Sequence, residues 1–147
     1  MRVDFDTDVG AVRSSNQDSC DCGLFSPGSA WAIVCDGMGG ANGGNVASAI
    51  AVETIREQIL AGFNENLSKP NIKNLMVNAI SRANEAVHKA SLEQPELRGM
   101  GTTVVLLIAT KGTLHTAHVG DSRAYLRHQG ELSQITMDHS YVQDLVN

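Results

Sequence analysis

The sequence predicts an α+β fold, from three observations. Three short β-like runs come early, two long segments with helical periodicity occupy the middle, and a second group of β-like runs starts at residue 102. Taken in order, residues 3–9 alternate well enough for a first strand, and 20–25 make a second. Ser26-Pro27-Gly28-Ser29 turns the chain, and the apolar run 31–35 pairs back as a third. A helix is expected over 44–62, with Val52, Ile55, Ile59 and Leu60 on one stripe and Gly62 as its stop. Ser68 or Asn71, on either side of Pro70, opens a second helix running to about Leu92. Its stripe of Ile72, Leu75, Met76, Ala79, Ile80, Ala83, Val87 and Ala90 is the most regular in the chain, and it assigns Met76 to the core. Gln94-Pro95 closes that segment. Residues 102–110 read as a buried strand, Lys111-Gly112 as its turn and 113–119 as the return. Gly120-Asp121 breaks the ladder, 122–127 resumes it, Gln129-Gly130 turns, and 132–136 follows. A last helix is expected over 140–146.

The bulk numbers narrow the function. The 147 residues suffice for one domain, 1–147, with one core. A net charge of −5 argues against nucleic acid or an anionic membrane as principal partner. No apolar run approaches the roughly 20 residues of a membrane span. The start, Met1-Arg2-Val3-Asp4-Phe5, has no apolar signal region, so a cytoplasmic location is expected. Cys20, Cys22 and Cys35 lack disulfide-framework spacing and read as reduced, small apolar residues. Redox sensitivity at Cys35 would need a lowered thiol pKa.

Asp36-Gly37-Met38-Gly39-Gly40 is the segment richest in chemistry. A strand end delivers one carboxylate into a loop of glycines. Such an aspartate serves either turn chemistry or a metal. Bare backbone leaves the Gly37 carbonyl able to face a hard cation, and Mg²⁺ or Mn²⁺ takes oxygen ligands of this kind. A nucleotide-binding loop is excluded, because no Gly-Lys-Ser/Thr opens the helix and no parallel βαβ pattern follows. His115 and His118 are three apart in a strand, so they point to opposite faces and do not chelate zinc as a pair. His139 reads as a local hydrogen-bonding residue, and Thr102 and Thr103 as strand residues opening the buried run.

Further motifs stand in a fixed order around that loop. Arg13-Ser14-Ser15-Asn16-Gln17-Asp18 lies upstream; Gly101-Thr102-Thr103, Gly120-Asp121-Ser122-Arg123-Ala124 and Asp138-His139-Ser140 lie downstream. In this order the set resembles the metal-dependent Ser/Thr protein phosphatases of type 2C, most closely the compact bacterial ones. The resemblance implies a sandwich of two antiparallel β-sheets flanked by helix pairs. It also implies hydrolysis of phosphoserine and phosphothreonine in proteins by metal-activated water. Two divalent cations about 4 Å apart, Mg²⁺ or Mn²⁺, activate the water and clamp the phosphoryl oxygens. Carried onto this sequence, Asp36 bridges the metals and the Gly37 carbonyl binds one. Arg13 grips the phosphate, Asp18 acts near the metals through their waters, and Asp121 matches the ligand of a third, weaker metal. Phosphorylated proteins are the implied partners, with a Ser/Thr kinase as functional counterpart.

Two departures qualify the resemblance. Met38 and Ala41 occupy positions where family members often carry a histidine suited to protonating the leaving group. The family's catalytic domain also continues past the Asp138-His139-Ser140 region, to a flap and two further metal-binding aspartates that are not among these 147 residues. The chain is therefore expected to be the N-terminal part of the catalytic domain, incomplete at its C-terminus, to bind metal weakly and to turn over little. Unpaired sheet edges are expected to favour self-association. The alternative is a non-catalytic phosphoprotein-binding or regulatory module of the same fold.

Overall fold

A computed structural model describes residues 1–139, with only the backbone at positions 41 and 42. The helix expected over 140–146 lies outside the described residues. The class is the expected one, α+β with two antiparallel sheets and two long helices. Strands β1 (Asp18–Ser26) and β2 (Ser29–Met38) form a hairpin. Helices α1 (Gly40–Gly62) and α2 (Lys69–Glu93) follow, then a single 3₁₀ turn, Pro95–Leu97. Strands β3 (Gly101–Thr102), β4 (Val104–Thr110) and β5 (Thr113–Val119) complete the main sheet, in the order β1-β2-β4-β5 with β3 pairing the end of β2. Strands β6 (Tyr125–His128) and β7 (Glu131–Gln134) make the second, two-stranded sheet. No described helix is long and apolar enough to cross a membrane.

The core lies between the main sheet and the helix pair. Trp31, Ile33 and Cys35 alternate along β2 and face inward, where they join Val104, Leu106 and Ile108 of β4. Helix α1 presents Ala47, Ala51, Val52, Ile55 and Ile59 to them, and α2 adds Ile72, Met76, Ala79, Ala83 and Val87. Met76 is a core residue, as its periodicity implied. Helix α2 starts as expected: the Ser68 hydroxyl accepts the Asn71 N–H at 3.3 Å, and Pro70 sits in the first turn, where no N–H is needed. Below the helices, the Glu65 carboxylate accepts hydroxyl bonds from Ser26 at 2.6 Å and Ser29 at 2.9 Å, tying the interhelix loop to the β1–β2 turn. The opposite face of the sheet leaves Leu24, Val34 and Leu114 exposed.

Several boundaries differ from expectation. Residues 3–9 form no strand. Their aspartates take up local backbone donors: Asp4 accepts from Phe5 N–H, Asp6 from Thr7 N–H and Asp8 from Gly10 N–H. These short bonds compete with a ladder. Leu60 was assigned to the helix stripe, yet it is 50% exposed; the buried arc turns through Ala47 and Ala51 instead. β6 begins at Tyr125, because the chain bends at Gly120-Asp121 and residues 122–124 carry no regular ladder. The thiols fit the apolar reading: all three are free, Cys35 is buried, and burial pushes its pKa up to about 12. That removes the thiolate a redox role needs. His115 and His118 pair with Ile108 and Val105, so they lie on opposite faces.

Ile55 is fully buried at the helix–sheet junction. Ile55→Ala lowers the unfolding free energy by about 2–5 kcal/mol, read as a fall in the urea midpoint. Leu60→Ala, on the exposed face, stays within about 0.5 kcal/mol of the parent.

Candidate functional site

The β1–β2 register decides where the carboxylates go. Asp18 is paired directly with Asp36, so both side chains leave the same, outward face of the hairpin. Asp36 does not stand in a loop at a strand end. β2 continues through Met38, because β3 supplies partners there: Gly37 pairs with Thr102 and Met38 with Gly101. The chain turns only at Gly39, whose φ of 124° is open to glycine. Helix α1 thus begins at Gly40, four residues earlier than the expected Gly44.

Gly37 is glycine for want of space. A Cβ there would run into the Gly44 carbonyl, and it would meet the Gln17 carbonyl oxygen at 2.7 Å. Gln17, which sequence reading passed over, knits this junction together. Its carbonyl accepts the Gly37 N–H at 3.0 Å and the Ser48 hydroxyl at 2.7 Å, and its side-chain amide donates to the Gly40 carbonyl at 3.1 Å. Buried Ser48 spends its one proton on Gln17, so at 2.9 Å it accepts from Ser19. The segment before β1, the carboxylate strand and the start of α1 are therefore locked together.

A cleft of about 260 Å³ opens beside the two carboxylates, lined by Asp8, Arg13, Asn16, Gln17, Asp18 and Asp36. Asn16 fixes its wall by accepting the Asp18 N–H at 3.0 Å and donating to the Thr7 hydroxyl at 2.7 Å. Partial burial raises the Asp36 pKa first, and the facing Asp18 and then Asp121 raise it further; Arg13 opposes them. So Arg13, Asp18, Asp36 and Asp121 share one electrostatic neighbourhood. Asp121 stands apart from the cleft lining, on the turn after Gly120. A larger groove of about 600 Å³ runs between α2 and β3–β4 on the helix side. Glu85 is its one carboxylate, so it lacks the charge cluster of the smaller cleft.

The donor set suits a hard cation in character. A carboxylate such as Asp36, its proton affinity raised by burial and by facing carboxylates, is a group that a divalent ion relieves, and the glycine approach clears space at the Gly37 backbone. It is not a closed cage: among the described residues no three His, Cys, Asp or Glu side chains converge closely enough to hold an ion. The remaining coordination would fall to water, as Mg²⁺ commonly allows. Asp138 is committed elsewhere, in a forked pair with Arg123 at 2.6–3.1 Å that holds its pKa below the usual carboxylate range. His139 stacks on His118 with ring centres 4.7 Å apart, and its N–H donates to the Gly120 carbonyl at 2.9 Å, a local structural role. Met38 is exposed beside the carboxylates; the side chain at position 41 lies outside the described residues.

Comparison with known proteins shows the family of the chain. A family model described as protein phosphatase 2C matches residues 11–145, and the chain belongs to that family. The serine/threonine phosphatase stp of Listeria welshimeri is 34% identical over 149 residues, covering 99% of this chain and 58% of that protein. The structure of a serine/threonine phosphatase from Staphylococcus aureus superposes with a TM-score of 0.84 at 32% identity, over 95% of this chain and 54% of that one. The catalytic domain of PstP, a serine/threonine protein phosphatase described in complex with two manganese ions, gives 0.78 at 33% identity, over 93% and 55%. The chain thus spans little more than half the length of these relatives.

The pH dependence follows from Asp36. A carboxyl whose folded pKa is raised favours the fold when protonated. Metal-free stability should therefore fall as pH rises from the ordinary carboxyl range through the raised value. Asp36→Asn flattens that part of the curve and raises the metal-free Tm at neutral pH by a few degrees, by calorimetry. Gly37→Ala destabilises the fold by several kcal/mol, because both obstructing groups are backbone.

Proposed function

We propose that this chain supplies the Asp36 side of a Mg²⁺- or Mn²⁺-dependent phosphatase site acting on phosphoserine and phosphothreonine in proteins. The observation that carries the reading is the pairing of Asp18 with Asp36 across one ladder, with Arg13 on the rim of the same cleft. The names of the relatives support it. When bound, divalent cations supply Lewis-acid activation of water and neutralise phosphate charge.

Each residue then has a definite task. Asp36 and the Gly37 carbonyl hold cations at the cleft. Asp18, its amide tied to Asn16, orients water at its edge. Exposed Arg13 meets the substrate phosphate with its planar fork. Asp121 attracts a further, weaker cation. With no histidine at Met38, water delivers the leaving-group proton, so aryl phosphates, whose leaving oxygen is the better one, are the favoured small substrates. Phosphorylated proteins are the physiological partners of this reading, and a Ser/Thr kinase its counterpart.

A second reading, a phosphoprotein-binding module without turnover, draws support from the lack of a three-ligand cluster among the described residues. Turnover of an aryl phosphate with Mn²⁺ separates the two. On the first reading this chain, extended to the length of its relatives, shows Mn²⁺-dependent hydrolysis that Asp36→Asn reduces at least about 100-fold, while the 147 residues alone turn over far more slowly. Arg13→Ala acts mainly on KM, by about 10–100-fold, as the loss of a charge-assisted contact. Phosphopeptide binding without metal-dependent turnover establishes the module instead.

A further inference from the structure

The β2–β4 ladder changes character at Asp36. Val34 pairs with Val105 and Gly37 with Thr102, a continuous register that sets Asp36 opposite Thr103. In a regular antiparallel pair these residues would exchange two backbone bonds. One is present: the Thr103 N–H donates to the Asp36 carbonyl at 2.9 Å. The other is replaced. The Asp36 N–H donates at 2.9 Å to the Thr103 side-chain oxygen, while the Thr103 carbonyl takes the Thr102 hydroxyl at 2.9 Å. The strand is interrupted at Thr103, which is 4% exposed. The backbone that carries the Asp36 carboxylate thus hangs on a hydroxyl rather than on a ladder bond.

That hydroxyl reaches a second loop. Thr103 Oγ1 lies 2.6 Å from Ser122 Oγ, at the short end for paired hydroxyls. Ser122 directly follows Asp121. On the other side of the same turn, Gly120 at φ 101° packs against the Thr103 methyl, where a Cβ would come within 2.7 Å. The Arg123–Asp138 fork and the His139 N–H bond to Gly120 hold the turn from outside. Asp36 and Asp121 are 85 positions apart in the chain (121 less 36), and this pair of hydroxyls joins the residues beside them.

We propose that Thr103 and Ser122 form a hydroxyl relay that sets the Asp36 carboxylate and couples it to the Asp121 turn, making Ser122 a positioning residue for the cation site. The inference rests on the metal-site reading above, and it adds a specific link between the two carboxylates. Loss of the Ser122 hydroxyl leaves Thr103 able to accept the Asp36 N–H, but frees its rotor and uncouples the turn. A residue that merely filled space would change global stability alone.

The test uses the 147-residue chain and compares wild type, Ser122→Ala, Ser122→Thr, Asp121→Asn and the Ser122→Ala/Asp121→Asn pair. Amide hydrogen exchange at Asp36 is followed by NMR without metal, and Mn²⁺ affinity by titration calorimetry. The relay predicts faster exchange at Asp36 in Ser122→Ala with an unchanged urea midpoint, and Mn²⁺ affinity lower by about tenfold. Ser122→Thr restores both, and the double variant is less impaired than the sum of the singles, as expected for coupled residues. Unaltered Asp36 exchange in Ser122→Ala overturns the relay, and so does a change that only tracks a lowered urea midpoint. Should wild type take up no Mn²⁺, the metal reading fails, while Asp36 exchange still decides the relay.

Discussion

Asp18 and Asp36 face each other across an antiparallel ladder, an arrangement that costs stability in an ordinary hairpin. The core enforces it. Trp31, Ile33 and Cys35 fill the inner side of β2, and strand alternation leaves Val34 and Asp36 nowhere to point but out. A slip of one residue would bury Asp36 and expose Ile33, so hydrophobic packing fixes the register and the register fixes the carboxylate pair. The repulsion is accepted at the site because the core outweighs it. The hydrophobic core and the facing carboxylates thus come from the same strand.

The surroundings restrain the pair without neutralising it. Gln17, Gly37, Gly44 and Ser48 bring the segment before β1 and the start of α1 into backbone contact with the carboxylate strand. These contacts are hydrogen bonds and close approaches between uncharged groups. They limit motion at the site, and they leave its negative charge for a ligand to answer. Arg13 is the exception: it lowers the proton affinity of Asp36 from the rim, and its exposed position leaves it available to an anion.

Much of this was legible in the residues. Helix α2 was readable because its stripe is long and regular and its start is marked by Ser68 and Pro70. The hairpins at Lys111-Gly112 and Gln129-Gly130 were marked by their turn residues, and in both the first residue adopts positive φ. Arg13, Asp18, Asp36 and Asp121 stand out as candidates through the order of short motifs, and in the fold the charges of the other three all reach Asp36. Residues 3–9 misled because alternation there comes from aspartates that serve their own backbone. Leu60 misled because the buried arc of α1 runs from Ile59, Ile55 and Val52 through the small residues Ala51, Ser48 and Ala47, which a stripe of large residues overlooks. Gln17 and Thr103 were invisible for a deeper reason. Their roles are hydrogen bonds to Gly40 and Asp36, 23 and 67 positions away, and no local pattern encodes such a partner.

The chain has one tryptophan, and its location has a practical meaning. Trp31 lies 6% exposed opposite Gly23, where a Cβ would touch the indole at 2.9 Å. Its ring N–H finds no acceptor among the described residues. An indole so enclosed emits toward the blue and shifts red when water reaches it. Intrinsic fluorescence of this protein is therefore a single-site optical report on whether the β1–β2 hairpin, five residues along from Asp36, is closed.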